Sequence, residues 1–149
     1  MSDLLLVNLA STLFLTGLVW FLQVVHLPVF FTVDHGDFAR AVARHRRRNT
    51  LLMAGPMLAE IYTATRLAWS KTPLDGAALT SDMLNWALGL LAIIWIVTFA
   101  WHMPQYRRLG SGYDEPAIRG LILSNWVRTA CWTGRSAIML WIAFGRLRI

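Results

Sequence analysis

Four long apolar stretches constrain this chain more than any other feature. They cover residues 4–31, 51–69, 83–103 and 118–145, and only short connections remain between them in a chain of 149 residues. A helix needs about 20 predominantly apolar residues to cross a hydrocarbon core about 30 Å thick. Inside lipid the backbone polar groups must be satisfied within the segment, which a helix achieves. The sequence therefore predicts an all-α fold, an integral membrane four-helix bundle forming one domain over residues 1–149.

The composition favours the same class. Hydrophobic residues make up 56% of the chain and charged residues 15%, whereas soluble domains carry about 25% charged residues. The net charge of +6 comes largely from arginines beside the apolar stretches, a pattern typical of membrane proteins and not of a nucleic-acid groove. Cys131 is the single cysteine, so a paired-cysteine redox or zinc motif is excluded. We expect membrane lipids, and no nucleic acid, as partners.

The distribution of arginines predicts the orientation. Positive residues concentrate in cytoplasmic loops, and the connections after the first and third stretches hold most of them, whereas Lys71 alone lies between the second and third. Both termini should therefore face outward from a bacterial inner membrane. The arginines of the two predicted cytoplasmic loops are Arg40, Arg44, Arg46, Arg47, Arg48, Arg107, Arg108 and Arg119.

The two halves of the chain share a pattern. His26 closes the first stretch and His102 closes the third, and each is followed two residues later by proline. An arginine-containing connection comes next in each half. It is followed by Arg-Asn-Thr at residues 48–50 in the first half and by Val-Arg-Thr at residues 127–129 in the second. A duplicated two-helix unit would explain this pattern, and chance similarity is the alternative.

The helical period places polar side chains of each stretch on one face, and these faces should meet inside the bundle. Glu60 and Arg135 carry charge at similar depths of the second and fourth stretches. Charged residues within membrane spans are expensive and usually functional. The sequence predicts that these two form a buried ion pair, which could equally be a structural clamp between two helices.

Arg128 lies seven residues before Arg135, hence on the same face, and has no carboxylate at its own depth. A buried positive excess would suit an anion, a phenolate or a quinone-type oxygen. We expect a pocket bounded by His26, His102, Asn125 and Arg128 that opens toward the cytoplasmic leaflet. The alternative is that Arg128 reaches the lipid headgroups. His26 and His102 are also candidate ligands for haem or another metal, or else ordinary hydrogen-bonding residues at helix ends.

Residues 102–109 (His-Met-Pro-Gln-Tyr-Arg-Arg-Leu) and 124–129 (Ser-Asn-Trp-Val-Arg-Thr) resemble a bacterial and fungal family of small four-helix membrane proteins that includes the anthrone oxygenases. Asn125, Arg128 and Thr129 match that family's Asn-x-x-Arg-Thr motif, and Tyr106 stands where the family usually has Asn. The resemblance implies a four-helix membrane fold and oxygenation of a polycyclic phenolic substrate, without an assigned cofactor.

These observations lead to a hypothesis of function and two alternatives. The first is an oxidoreductase or oxygenase acting on an apolar phenolic or quinone-like compound, with Asn125 and Arg128 holding its oxygen and His102 or His26 moving protons. The second is a haem- or metal-binding electron-transfer protein that uses His26 and His102. The third is a non-catalytic accessory subunit of a larger membrane complex or a homo-oligomer.

Overall fold

The computed structural model describes residues 3–69 and 78–147, which form four long helical segments and, within those residues, no strand. The all-α prediction with four helices is confirmed. The first segment joins α1 (Asp3–Phe21), a π-helical turn (Leu22–His26) and a 3-10 turn (Pro28–Phe31). The second is α2 (Phe38–Trp69). The third joins α3 (Ala78–Val97), a π-helical turn (Thr98–His102) and α4 (Met103–Leu109), and the fourth is α5 (Glu115–Leu147).

The second helix is longer than the apolar stretch that predicted it. It begins at Phe38 and not near residue 51, so the arginines expected in a loop lie on its first turns. Alanine and arginine are strong helix formers, and an apolar pattern locates the part of a helix that suits lipid, not its ends. The connections are short, residues 32–37 and 110–114. They lie together at one end of the bundle, here called the loop end.

A π-helical turn precedes the proline that closes the first segment, and another precedes the proline of the third. In the first, the Leu27 amide donates to the Leu22 carbonyl at 2.8 Å, five residues back. Proline lacks an N–H group and disturbs the α-helical hydrogen bonds before it, and a π turn absorbs one extra residue there. Side chains beyond the turn are consequently rotated relative to the α-helical pattern.

The four segments pack around a common centre. α1 lies beside α2 and α5, and α3 also lies beside α2 and α5, so α2 and α5 face each other across the bundle. Three apolar layers follow the axis. Leu27, Phe30 and Val42 belong to the layer at the loop end, Leu15, Met57 and Trp132 to the middle layer, and Leu5, Leu67 and Met139 to the layer at the opposite end.

The distribution of polar and apolar side chains is the reverse of that in a soluble helical bundle. Glu60, Arg128 and Arg135 are each at most 3% exposed, whereas large apolar side chains cover the outer surface. Within the described residues, two stretches, Asp3–Phe31 and Ser81–Leu109, are long and apolar enough to cross a membrane by length and composition. The exposed apolar side chains include Phe14, Phe21, Leu52, Leu58, Tyr62, Trp69, Trp86, Ile96, Phe99, Leu123, Trp126, Trp141 and Phe144.

Candidate functional site

A charged cluster occupies the middle of the bundle, around Glu60 of α2 and Arg135 of α5. Arg135 Nε donates to Glu60 Oε1 at 2.9 Å, and both side chains are almost wholly buried. The same carboxylate oxygen accepts the Thr12 hydroxyl at 2.7 Å. Glu60 Oε2 accepts the indole N–H of Trp132 at 3.1 Å. The structure thus brings together the two residues whose depths suggested an ion pair.

The other two guanidinium nitrogens of Arg135 donate hydrogen bonds to two other helices. Nη1 donates to the Ala87 carbonyl of α3 at 2.6 Å, and Nη2 donates to Asn8 Oδ1 of α1 at 2.9 Å. Asn8 Nδ2 donates in turn to the Glu60 carbonyl and to Thr63 Oγ1. All four helices are therefore tied to one ion pair. Each of these buried side-chain nitrogens and oxygens has a hydrogen-bond partner, which is the pattern expected of a structural clamp, and the cluster is here called the clamp.

Arg128 has a different environment. It is 3% exposed, and no carboxylate pairs with it among the described residues. Nη1 donates to Asn125 Oδ1 at a long 3.3 Å, the guanidinium lies 5.1 Å from the centre of the Trp132 ring, and the Nε hydrogen has no partner in the described structure. An unmatched buried donor is expensive. Among the described residues, the Arg128 guanidinium therefore has neither a counter-charge nor a partner for its Nε hydrogen.

Arg128 lines a cavity of about 250 Å³, here called the central cavity, between α2 and the third segment. Most of its wall is apolar. Trp95 also lines it, and the buried indole N–H of Trp95 has no partner in the described structure. Leu58 and Phe99 line the cavity and are more than 60% exposed, so it reaches the apolar flank of the bundle. Its lining residues are Arg46, Asn49, Thr50, Met53, Ala54, Met57, Leu58, Trp95, Thr98, Phe99, His102, Met103, Tyr106 and Arg128.

His102 lines the central cavity, and its hydrogen bonds indicate its tautomer. The Ser124 hydroxyl donates to the Leu121 carbonyl at 2.9 Å. With its one hydrogen used there, Ser124 accepts from His102 Nδ1 across 2.7 Å. In a neutral imidazole, Nε2 then carries a free lone pair. The arrangement holds one nitrogen of His102 against α5, and the ring lines the central cavity.

Asn125 supports Arg128 from behind and does not line the central cavity. Its Nδ2 donates to Gln23 Oε1 at 2.8 Å and more weakly to the Val19 carbonyl at 3.4 Å. Those bonds orient the amide so that Oδ1 faces Arg128. The prediction that Asn125 borders the pocket is wrong, because α1 covers it. Its place in the structure is that of a residue which positions the guanidinium.

His26 was expected in the same pocket as His102, and that prediction is also wrong. It lines a second cavity of about 380 Å³ at the loop end, here called the arginine cavity. His26 stacks on His45 with ring centres 4.3 Å apart. The π-helical turn that ends at His26 is the physical reason, since it breaks the α-helical period used for the assignment. The arginine cavity is lined by Leu18, Phe21, Leu22, His26, Ala41, Arg44, His45, Arg48, Asn49 and Leu52.

One hydrogen bond connects the two cavities. His45 Nε2 and the Tyr106 hydroxyl lie 2.9 Å apart, and Tyr106 also packs edge-on against His102 with ring centres 5.3 Å apart. Burial and the neighbouring His26 lower the pKa of His45 to about 4, so the ring is neutral at neutral pH. Tyr106 and His45 therefore form a polar link through an otherwise apolar wall.

The sequence analysis did not predict that His45, Tyr106 and Trp95 line the two cavities. The internal similarity contained a signal for His45, because the register that matches residues 48–50 with 127–129 also matches His45 with Ser124. In the structure His26 contacts His45, as His102 contacts Ser124. A duplicated two-helix unit predicts such a parallel.

His26 and His102, the two candidate ligands of one haem or metal, do not face a common cavity in this arrangement. Coordination of one haem by two histidines requires both imidazoles to face one cavity, whereas His26 and His102 line different cavities. Within residues 3–69 and 78–147, no group of three or more His, Cys, Asp or Glu side chains is placed to hold a metal ion.

The chain matches no protein-family model, no curated protein and no solved structure. Any function must therefore be inferred from the geometry of the cavities.

Proposed function

We propose that the chain spans a membrane as a four-helix bundle, with the loop end in the cytoplasm and both termini outside. The reversed polarity supports this placement, because buried charges inside an apolar exterior suit lipid as the surrounding solvent. The two stretches apolar enough to span a membrane support it as well. Five of the six arginines of α2 and both arginines of α4 lie toward the loop end, and Arg66 alone of these lies near the opposite end; this distribution follows the positive-inside bias of membrane proteins.

We further propose that the central cavity binds an apolar phenolic or quinone-like compound, as part of an oxidoreductase or oxygenase. The observation that carries this proposal is Arg128 itself, a buried guanidinium that lines an apolar cavity and pairs with no carboxylate among the described residues. Trp95 lines the same cavity, and its buried indole N–H is a second donor without a partner in the described structure. Two donors and apolar walls suit a flat, lipophilic molecule with a single exposed oxygen. The opening between Leu58 and Phe99 would admit such a molecule sideways from the bilayer.

The chemistry follows from the groups around that oxygen. His102 Nε2 accepts the proton of a phenol, and the resulting phenolate is stabilised by the Arg128 guanidinium. A phenolate gives up electrons more readily than the phenol, so this step prepares the ring for oxidation by molecular oxygen or a membrane electron acceptor. The hydrogen bond between the Tyr106 hydroxyl and His45 joins the wall of the central cavity to the arginine cavity. The motifs that resemble the anthrone oxygenases contribute His102, Tyr106 and Arg128 to this one cavity.

Binding of anthrone and of a short-chain ubiquinone analogue to the purified protein in detergent tests the proposal. Quenching of tryptophan fluorescence reports occupancy, since Trp95 lines the cavity. Arg128→Lys keeps the charge but loses the planar donor fork, and a hydrogen bond to a charged group contributes about 1.5–3 kcal/mol. We expect roughly 10- to 100-fold weaker binding with little change in melting temperature. Arg107→Lys, at an exposed position outside the cavity, is the matched control.

Equal affinity of the Arg128→Lys and Arg107→Lys proteins would contradict the assignment of Arg128 to the ligand. An absorption spectrum of the same preparation separates the alternatives. A Soret band would favour a haem protein, and copurification with large partners at fixed stoichiometry would favour an accessory subunit.

A further inference from the structure

The arginine cavity is divided into a charged half and an apolar half. Arg44 and Arg48 lie one helical turn apart on α2, so their side chains leave the same face. Asn49 and the two stacked histidines complete the polar half. This volume belongs to neither the clamp nor the central cavity.

The polar half carries an uncompensated positive charge. Neither Arg44 nor Arg48 takes part in an ion pair with any described residue, although Arg40, Arg108 and Arg119 each do. No carboxylate lines the cavity. His45 adds no charge at neutral pH, which leaves two guanidinium groups facing one volume. Paired guanidinium groups are well suited to the oxygens of a phosphate.

The apolar half extends down the outside of the bundle. Leu18 and Phe21 of α1 and Leu52 of α2 form its wall. Phe21 and Leu52 are about half exposed, at 52% and 50%. They lie farther from the loop end than Arg44 and Arg48, along both helices. A ligand that fills both halves must therefore join a negative group to a hydrocarbon chain lying along the helix surface.

We propose that the arginine cavity is a binding site for an anionic phospholipid of the cytoplasmic leaflet. Arg44 and Arg48 bind the phosphate, Asn49 donates to a further headgroup oxygen, and an acyl chain lies against Phe21 and Leu52. This proposal rests on the membrane placement proposed above. Free phosphate shares the charge chemistry but would leave the apolar half unused.

The test uses the full-length protein purified in a nonionic detergent. Lipid binding is measured by native mass spectrometry and by the shift of the melting temperature on adding phosphatidylglycerol, phosphatidylcholine or inorganic phosphate. We expect phosphatidylglycerol to be retained and to raise the melting temperature, and the other two to have little effect. Arg44→Gln/Arg48→Gln should weaken phosphatidylglycerol binding about thirtyfold, since each basic residue near an anionic surface contributes to the affinity.

Arg47→Gln/Arg107→Gln is the matched control, because it removes the same charge from exposed arginines that line neither cavity. All four positions are exposed, so both double variants should melt like the parent protein without lipid. Equal weakening in the two variants would overturn the site, because it would indicate charge alone. Equal stabilisation by inorganic phosphate or by phosphatidylcholine would overturn it too.

A wash of membranes with alkaline carbonate separates this proposal from the placement on which it depends. Release of the protein by the wash would refute the membrane placement. A protein that stays in the membrane but shows no preference for phosphatidylglycerol would refute the lipid site alone.

Discussion

Replacement of Glu60 by glutamine should be the most damaging conservative change in the interior. The carboxylate is fully buried and accepts hydrogen bonds from Thr12, Trp132 and Arg135. Glutamine has nearly the same size, so the substitution removes charge without opening a cavity. Its amide group can present only one oxygen, and its NH₂ group would face a donor where Glu60 presented an acceptor.

The magnitude follows from what the change leaves behind. Arg135 is 1% exposed, so its guanidinium would stay buried without a counter-charge. Loss of one partner of a buried ion pair destabilises a protein by about 3–5 kcal/mol. For a protein of this size about 1 kcal/mol shifts the melting temperature by roughly 2–4 °C. We therefore expect Glu60→Gln to melt about 6–20 °C below the parent protein.

Thermal unfolding in detergent, followed by tryptophan fluorescence, measures the effect. Glu115→Gln is the matched control, because Glu115 pairs with Arg119 at 2.7 Å in an exposed i,i+4 arrangement. An exposed pair of that kind contributes only about 0.3–0.5 kcal/mol. The double variant Glu60→Gln/Arg135→Gln should recover part of the loss, since it leaves no unbalanced charge. If Glu60→Gln melts like Glu115→Gln, the clamp described above does not stabilise the bundle.

Two further predictions concern the loop end. In a Cys131→Ala background, Arg47→Cys should react with a membrane-impermeant thiol reagent only after the cells are permeabilised. Labelling of Arg47→Cys in intact cells would contradict the orientation. Stability should fall between about pH 6.5 and pH 4, because unfolded His45 takes up a proton in this range while the folded ring, beside His26 and Tyr106, does not. The decrease from this group is about 1–2 kcal/mol, allowing for solvent screening. A His45→Gln protein with the same pH profile as the parent would show that another group is responsible.

Features of this protein that depend on local pattern could be predicted from the amino-acid sequence. The length of the apolar stretches required four helices, because span length and helical rise are properties of each segment alone. The period of polar residues placed Glu60 and Arg135 on inward faces. Similar depths were enough to suggest the Glu60–Arg135 pair. Where the helix is regular, sequence position gives both depth and direction.

The hydrogen-bond and ring partners of the other polar side chains depend on how the helices pack, and they could not be predicted from the sequence. The π-helical turn before Leu27 rotates His26 toward His45, which no α-helical period could anticipate. Asn125 is covered by Gln23 of the first π-helical turn, so it supports Arg128 without lining the cavity. The Arg128 Nε–H likewise lacks a partner in the described structure because none of the neighbouring helices places an acceptor beside it. Side-chain partners from other helices are fixed by packing, and packing is not encoded in the spacing of any one helix.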